Sequence, residues 1–145
     1  MSTEDNKALA RRFIQEIWDQ KNLAVADELM AASHVRYNPG SPPGLPSGLE
    51  GFKLFGSAYF AAFPDLRTTI EDQVAEGEMV VTRWTSHGTN TGSLFGLPAT
   101  HKSATITGIT IIRIVDGKVV QTWTNFDNLG MLQQLGAVPA PGQAS

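Results

Sequence analysis

The 145-residue sequence predicts an α+β domain in which a curved antiparallel sheet packs against helices, and three observations carry that expectation. The first third places apolar residues at helical spacing. From Leu66 onward, β-branched and aromatic runs alternate with short glycine turns. Between the last two runs lies Asp116-Gly117, a two-residue hairpin signal that favours positive φ. Helices followed by a run of strands is the α+β order, and such a sheet encloses a cone whose open end admits a small molecule.

Each element follows in turn. Ser2 or Thr3 caps a helix to about Asp19, with Leu9, Phe13, Ile14, Ile17 and Trp18 on one stripe. Asn22 opens a second helix whose apolar side is Leu23, Ala26, Leu29 and Met30. Ser33–Pro39 is a short extended piece. Gly40–Gly48 holds three prolines and three glycines, the composition of a stiff loop and a candidate lid. Leu49–Phe63 is helical through Phe52, Phe55, Tyr59, Phe60 and Phe63, and Pro64-Asp65 ends it. The strands expected are Leu66–Ala75, Met79–Gly88, Ala104–Val115 and Lys118–Asp127. A short helix, Asn128–Leu135, stops at Gly136. The expectation is one domain over 1–139 and a flexible tail over 140–145.

Composition narrows the functional classes. A net charge of −3 and a pI near 5.5 give no support for nucleic-acid or anionic-membrane binding. The absence of cysteine excludes disulfides, thiolate metal sites and cysteine nucleophiles, and fits a reducing compartment. Met1–Lys7 is polar with no apolar run behind it, so the expected location is the cytoplasm. The three histidines lack metal-ligand spacing, and neither a phosphate-binding loop nor a nucleophile elbow is present, so no metal or cofactor is expected.

Acid–base chemistry by few groups remains. Asp127 closes a β-branched and aromatic run on the same strand side as Trp123, with Gln121 and Asn125. A carboxylate beside an indole on a half-buried face is expected to have a raised pKa and to suit a general base. The competing reading is an N-cap for the short helix that follows. Tyr37 and Asn38 offer a phenol and an amide for a carbonyl, or simply open a turn. Arg83 and His87 share one face of a strand and would be cavity groups if that face is the interior. Trp84 and Trp123 are core residues or a ligand platform.

Several segments together resemble the SnoaL-like polyketide cyclase, or ester cyclase, group of the NTF2-like superfamily. They are Ala62-Phe-Pro-Asp-Leu66, Val80-Val-Thr-Arg-Trp84, Gly88-Thr-Asn-Thr-Gly92 with Gly96-Leu-Pro98, Gly108–Lys118, and Trp123-x-x-x-Asp127 followed by Leu129–Gly136. The resemblance runs from the first helix to Pro139. It implies a cone with an apolar cavity, and dimers or tetramers formed through sheet faces, with Thr105, Thr107, Ile109 and Ile111 or the opposite set outermost. It also implies a metal-free and cofactor-free intramolecular aldol cyclisation, or related lyase or isomerase chemistry, on a small apolar carbonyl compound. Asp127 falls on the family's acid/base position and Asn38 matches an amide-type substrate contact, while Tyr37, Arg83, His87 and Trp123 remain substrate-contact candidates from the residues alone.

The chain departs from the group twice. It has Asn90 where many members read Gly-Thr-His-x-Gly, and Tyr37-Asn38 where many have His-Asp or His-Asn. Both departures imply a pocket with fewer titratable groups. Two other readings stand beside the cyclase: a binding or scaffold module without turnover, and an epoxide-hydrolase-like enzyme using Arg83 and Asp127. The second lacks an inward carboxylate where Thr85 stands.

Overall fold

A computed structural model describes residues 2–139 and Gly142. The expected tail, 140–145, lies outside the described residues except for Gly142. Helix α1, Thr3–Arg12, starts at a capping box: Ser2 Oγ accepts from the Asp5 amide at 3.0 Å, and Asp5 Oδ2 accepts from the Ser2 amide at 3.3 Å. Glu4 and Asp5 in its first turn and Arg11 and Arg12 in its last complement the helix dipole. The chain then widens into a π-helical segment, Phe13–Asp19, which buries Phe13, Ile14 and Ile17. Helix α2 is only Val25–Leu29. Met30, expected on its apolar side, instead begins strand β1, Met30–Tyr37. Helix α3 covers Gly48–Ala62.

Strands β2 (Arg67–Glu76), β3 (Met79–Thr89), β4 (Ser103–Val115) and β5 (Lys118–Phe126) follow, then helix α4 (Asn128–Gln134). Asp116 and Gly117 both have positive φ, 50° and 74°, as the hairpin signal required. The sheet order is β1-β5-β4-β3-β2. The β2-to-β5 portion is antiparallel, and β1 joins its edge parallel to β5. Among the described residues, no helix is long and apolar enough to cross a membrane.

Burial fixes which face looks inward. In β4 the even-numbered residues Ala104, Ile106, Gly108, Thr110, Ile112 and Ile114 are buried, and the odd-numbered ones lie outward. Register carries this across β3, where Val80, Thr82 and Ser86 are buried. In β5 the pairing jumps from Ile114↔Val119 to Arg113↔Gln121, which leaves Val120 as a bulge. Val119 is therefore inward, and after the bulge so is Thr122. The inner face packs on α1, the π-helical segment and α3 in two clusters, one around Phe13, Ile17, Phe52 and Ile112, the other around Tyr59, Phe63, Ile106 and Met131.

Candidate active site

Between the π-helical segment, α3 and the concave sheet face lies a cavity with a free volume of about 70 Å³. That holds several water-sized spheres. Phe13, Ile14 and Trp18 form one wall and Phe52, Phe55 and Tyr59 another; the sheet contributes Trp84, Ser86, Ile106, Thr110, Thr122, Thr124 and Phe126. Arg36 on β1 and Asn38 just beyond it complete the polar set with Thr68.

The sheet hydroxyls are engaged in pairs. Trp84 Nε1 donates to Thr110 Oγ1 at 2.9 Å, and Thr110 and Thr124 share a hydrogen bond of 3.0 Å. Thr68 and Ser86 share one of 2.7 Å. A Cβ on Gly108 would stand 2.3 Å from Trp84 Cζ2, so this glycine lets the indole lie flat across the sheet. Behind Thr122, His34 is 1% exposed, and its Nε2 is 3.0 Å from Thr122 Oγ1. Burial, aided by the nearby Arg36 charge, pushes the His34 imidazole down to about 4, so it is neutral at pH 7. Burial raises the Tyr59 phenol well above its ordinary value and keeps it protonated. Burial lowers Arg36, whose guanidinium carbon sits 5.2 Å from the Phe55 ring centroid.

Against the wall residues Phe55 and Tyr59 folds a tight turn. Leu94 and Leu97 exchange backbone hydrogen bonds of 2.9 and 2.8 Å around Phe95 and Gly96. Both central residues have positive φ, 44° and 87°. The Phe95 ring lies 6.1 Å from those of Phe55 and Tyr59.

Of the residues the sequence nominated, Asn38 lines the cavity; its Oδ1 accepts from the Gly40 amide at 2.9 Å. The others are not among its lining residues. Tyr37 and Trp123 stack on the outer sheet face, with centroids 5.3 Å apart and an interplanar angle of 10°. Neighbouring strand residues face opposite ways, so Tyr37 and Asn38 cannot both point inward. Arg83 is exposed on that outer face, donating to Asp72 Oδ2 at 2.7 Å, and this removes the orienting cation of the epoxide-hydrolase-like reading. His87 is exposed beside Thr105. Asp127 follows the lining residue Phe126 but is itself exposed, not half-buried beside an indole. Its Oδ1 accepts from the Gly130 amide at 2.8 Å as the N-cap of α4.

Asn90 also belongs elsewhere. It is 2% exposed and staples the loop that carries Phe95. Its Nδ2 donates to the Ala62 and Gly92 carbonyls, and its Oδ1 accepts from the Thr100 amide and hydroxyl. The residues missed are Arg36, Tyr59 and the hydroxyl pairs. Arg36 was within reach, because it alternates with Asn38 along one extended run.

A family model described as SnoaL-like polyketide cyclase matches residues 8–135, nearly the whole domain. This chain belongs to the SnoaL-like polyketide cyclase family. Within it, the chain is 32% identical over 141 residues to aklanonic acid methyl ester cyclase DnrD of Streptomyces peucetius, covering 94% of this chain and 92% of DnrD. TsrD from Streptomyces laurentii superimposes with a TM-score of 0.83 at 27% identity, covering 95% and 99% of the two chains. An NTF2-like protein from Burkholderia pseudomallei shares the fold at a TM-score of 0.73 and 21% identity, over 93% and 98%. The cone is thus the NTF2-like fold of the SnoaL-like cyclases.

Proposed function

We propose that the protein is a cofactor-independent cyclase of the cytoplasm that closes a ring in a small apolar carbonyl compound by intramolecular aldol addition. Asp127 removes a proton from the carbon α to one carbonyl. The resulting enolate carbon bonds to a second carbonyl carbon, and the alkoxide formed takes the proton back. A C–H between two carbonyls is acidic enough for one carboxylate to serve, so the fold's contribution is orientation and stabilisation of enolate charge.

The observation that carries this reading is the lining itself. Apolar walls surround neutral donors suited to an enolate oxygen, beside one cation free for an anionic group, and no carboxylate lines the cavity among the described residues. The base must then come from the margin. Asp127 directly follows Phe126, one oxygen is held by the Gly130 amide, and the other has no protein partner among the described residues. The activity named for DnrD supports a ring closure.

A binding module without turnover is the second reading, favoured by the capping bond that already gives Asp127 a structural task. The Asp127→Asn variant separates the two, because Asn caps a helix about as well as Asp. On a β-keto ester panel, turnover is expected to fall at least about 100-fold with an unchanged melting temperature. Undiminished turnover would sink the base assignment, and an inactive wild type on every carbonyl substrate would favour the binding module.

We further propose that copies of the chain pair through the outer sheet face. There Val35, Tyr37 and Ile109 are exposed apolar groups beside Trp123.

A further inference from the structure

Arg36 stands apart from the other arginines of the chain. Among the described residues, Arg12, Arg67, Arg83 and Arg113 each hold a carboxylate, and Arg11 donates to Gln73. Arg36 has no ion-pair or hydrogen-bond partner among them, although it is half-buried and lines the cavity. Its contact with the Phe55 ring holds the guanidinium in place but offers no counter-charge. Partly withdrawing a cation from water without a partner costs free energy, and an anion that reaches it offsets some of that cost.

The rest of the cavity points the same way. Its other polar groups are neutral, and two of them are placed to donate. The Asn38 oxygen is occupied by the Gly40 amide, which leaves its NH₂ free. The Tyr59 hydroxyl stays protonated and has no protein partner among the described residues. Buried His34, the nearest other basic side chain of the strand, is neutral and faces Thr122. A donor-rich apolar cavity with one uncompensated guanidinium selects against neutral ligands of the same shape.

We infer that the natural substrate, otherwise an apolar carbonyl compound, carries one free carboxylate, bound by Arg36 with Asn38 and Tyr59 as flanking donors. This rests on the cavity being the substrate site. It sets the chain apart from DnrD, whose named substrate is a methyl ester. An ester in the same place would leave the guanidinium without its charge partner.

The test uses a matched pair, 4-oxo-4-phenylbutanoate and its methyl ester, with binding followed through the tryptophan fluorescence of Trp18 and Trp84. The acid is expected to bind about 10- to 100-fold more tightly than the ester, as charge-assisted hydrogen bonds do. The preference should vanish in Arg36→Gln and persist in Arg36→Lys. Equal binding of acid and ester, a preference for the ester, no binding of the acid, or an intact preference in Arg36→Gln would each overturn the inference. If the acid is preferred through Arg36 yet no β-keto acid is cyclised, the aldol reading falls and the carboxylate assignment stands.

Discussion

His34 should make the fold lose stability between neutral pH and pH 5. In the unfolded chain its imidazole titrates near 6.5, whereas in the folded protein burial and the Arg36 charge push it down to about 4. Below 6.5 the unfolded chain takes up a proton that the folded chain refuses. Stability is therefore complete above that value and declines as the pH falls toward 4. Integrating between those two pKa values gives a loss of about 2 kcal/mol from pH 7 to pH 5. For a domain of this size that lowers the melting temperature by roughly 4–8 °C.

The depressed carboxyls of Asp19, Glu16, Glu28 and Asp65 act in a different window. Their stabilisation is present above the ordinary carboxylate range and is lost only below it, so it does not mask the histidine. The assay is urea denaturation at pH 7, 6 and 5 for the wild type and for His34→Phe. The variant starts lower because Thr122 loses its partner, but it should be flat across this range. A wild type with the same stability at pH 7 and pH 5, or a variant with an undiminished slope, would refute the reasoning.

Other perturbations follow from the same contacts. Gly108→Ala puts a methyl group 2.3 Å from the Trp84 ring and should displace the indole from Thr110; a cost of about 1–3 kcal/mol is expected, with a shift in tryptophan emission. Asn90→Ala removes both donors and both acceptor bonds from a buried staple, and chemical denaturation should show a loss of about 2–4 kcal/mol. If copies pair as proposed, Ile109→Glu or Tyr37→Glu on the outer sheet face should abolish that pairing and leave monomers in light scattering, with the circular dichroism of the fold unchanged; a wild type that is already monomeric would refute the pairing.

Much of the architecture was legible because it rests on local chemistry. The Ser2 cap, the apolar stripe of the first helix, the Pro64-Asp65 stop and the Asp116-Gly117 turn each act within a few residues, and each appears where its chemistry requires. The site was much less legible, and the reason is parity. A two-residue turn pairs Val115 with Lys118 and Ile114 with Val119. Continued without interruption, that register would place Ile112 opposite Gln121 and turn Trp123 and Asn125 inward. The bulge at Val120 reverses the assignment, so Thr122, Thr124 and Phe126 line the cavity and Trp123 joins Tyr37 outside. No single residue in Lys118-Val-Val-Gln announces a bulge. The π-helical stretch is equally silent, since Phe13, Ile14, Ile17 and Trp18 suit an α-helix as well. In β4 the Thr/Ile alternation itself changes face at Gly108, with Thr105 and Thr107 outward but Thr110 inward and Ile109 outward, so residue type alone does not propagate the inner face either.

Phe95 is a poor choice for its own backbone. A bulky side chain in the left-handed region costs on the order of 1–3 kcal/mol, and Gly or Asn would sit there with little strain. The turn nevertheless brings its ring against Phe55 and Tyr59, two residues of the cavity wall. Selection for heat resistance alone would therefore drift toward glycine at this position and strip away an aromatic neighbour of the pocket. Selection for turnover would hold phenylalanine against that pull, which makes position 95 a place where a mutant library, sorted separately for the two traits, should split.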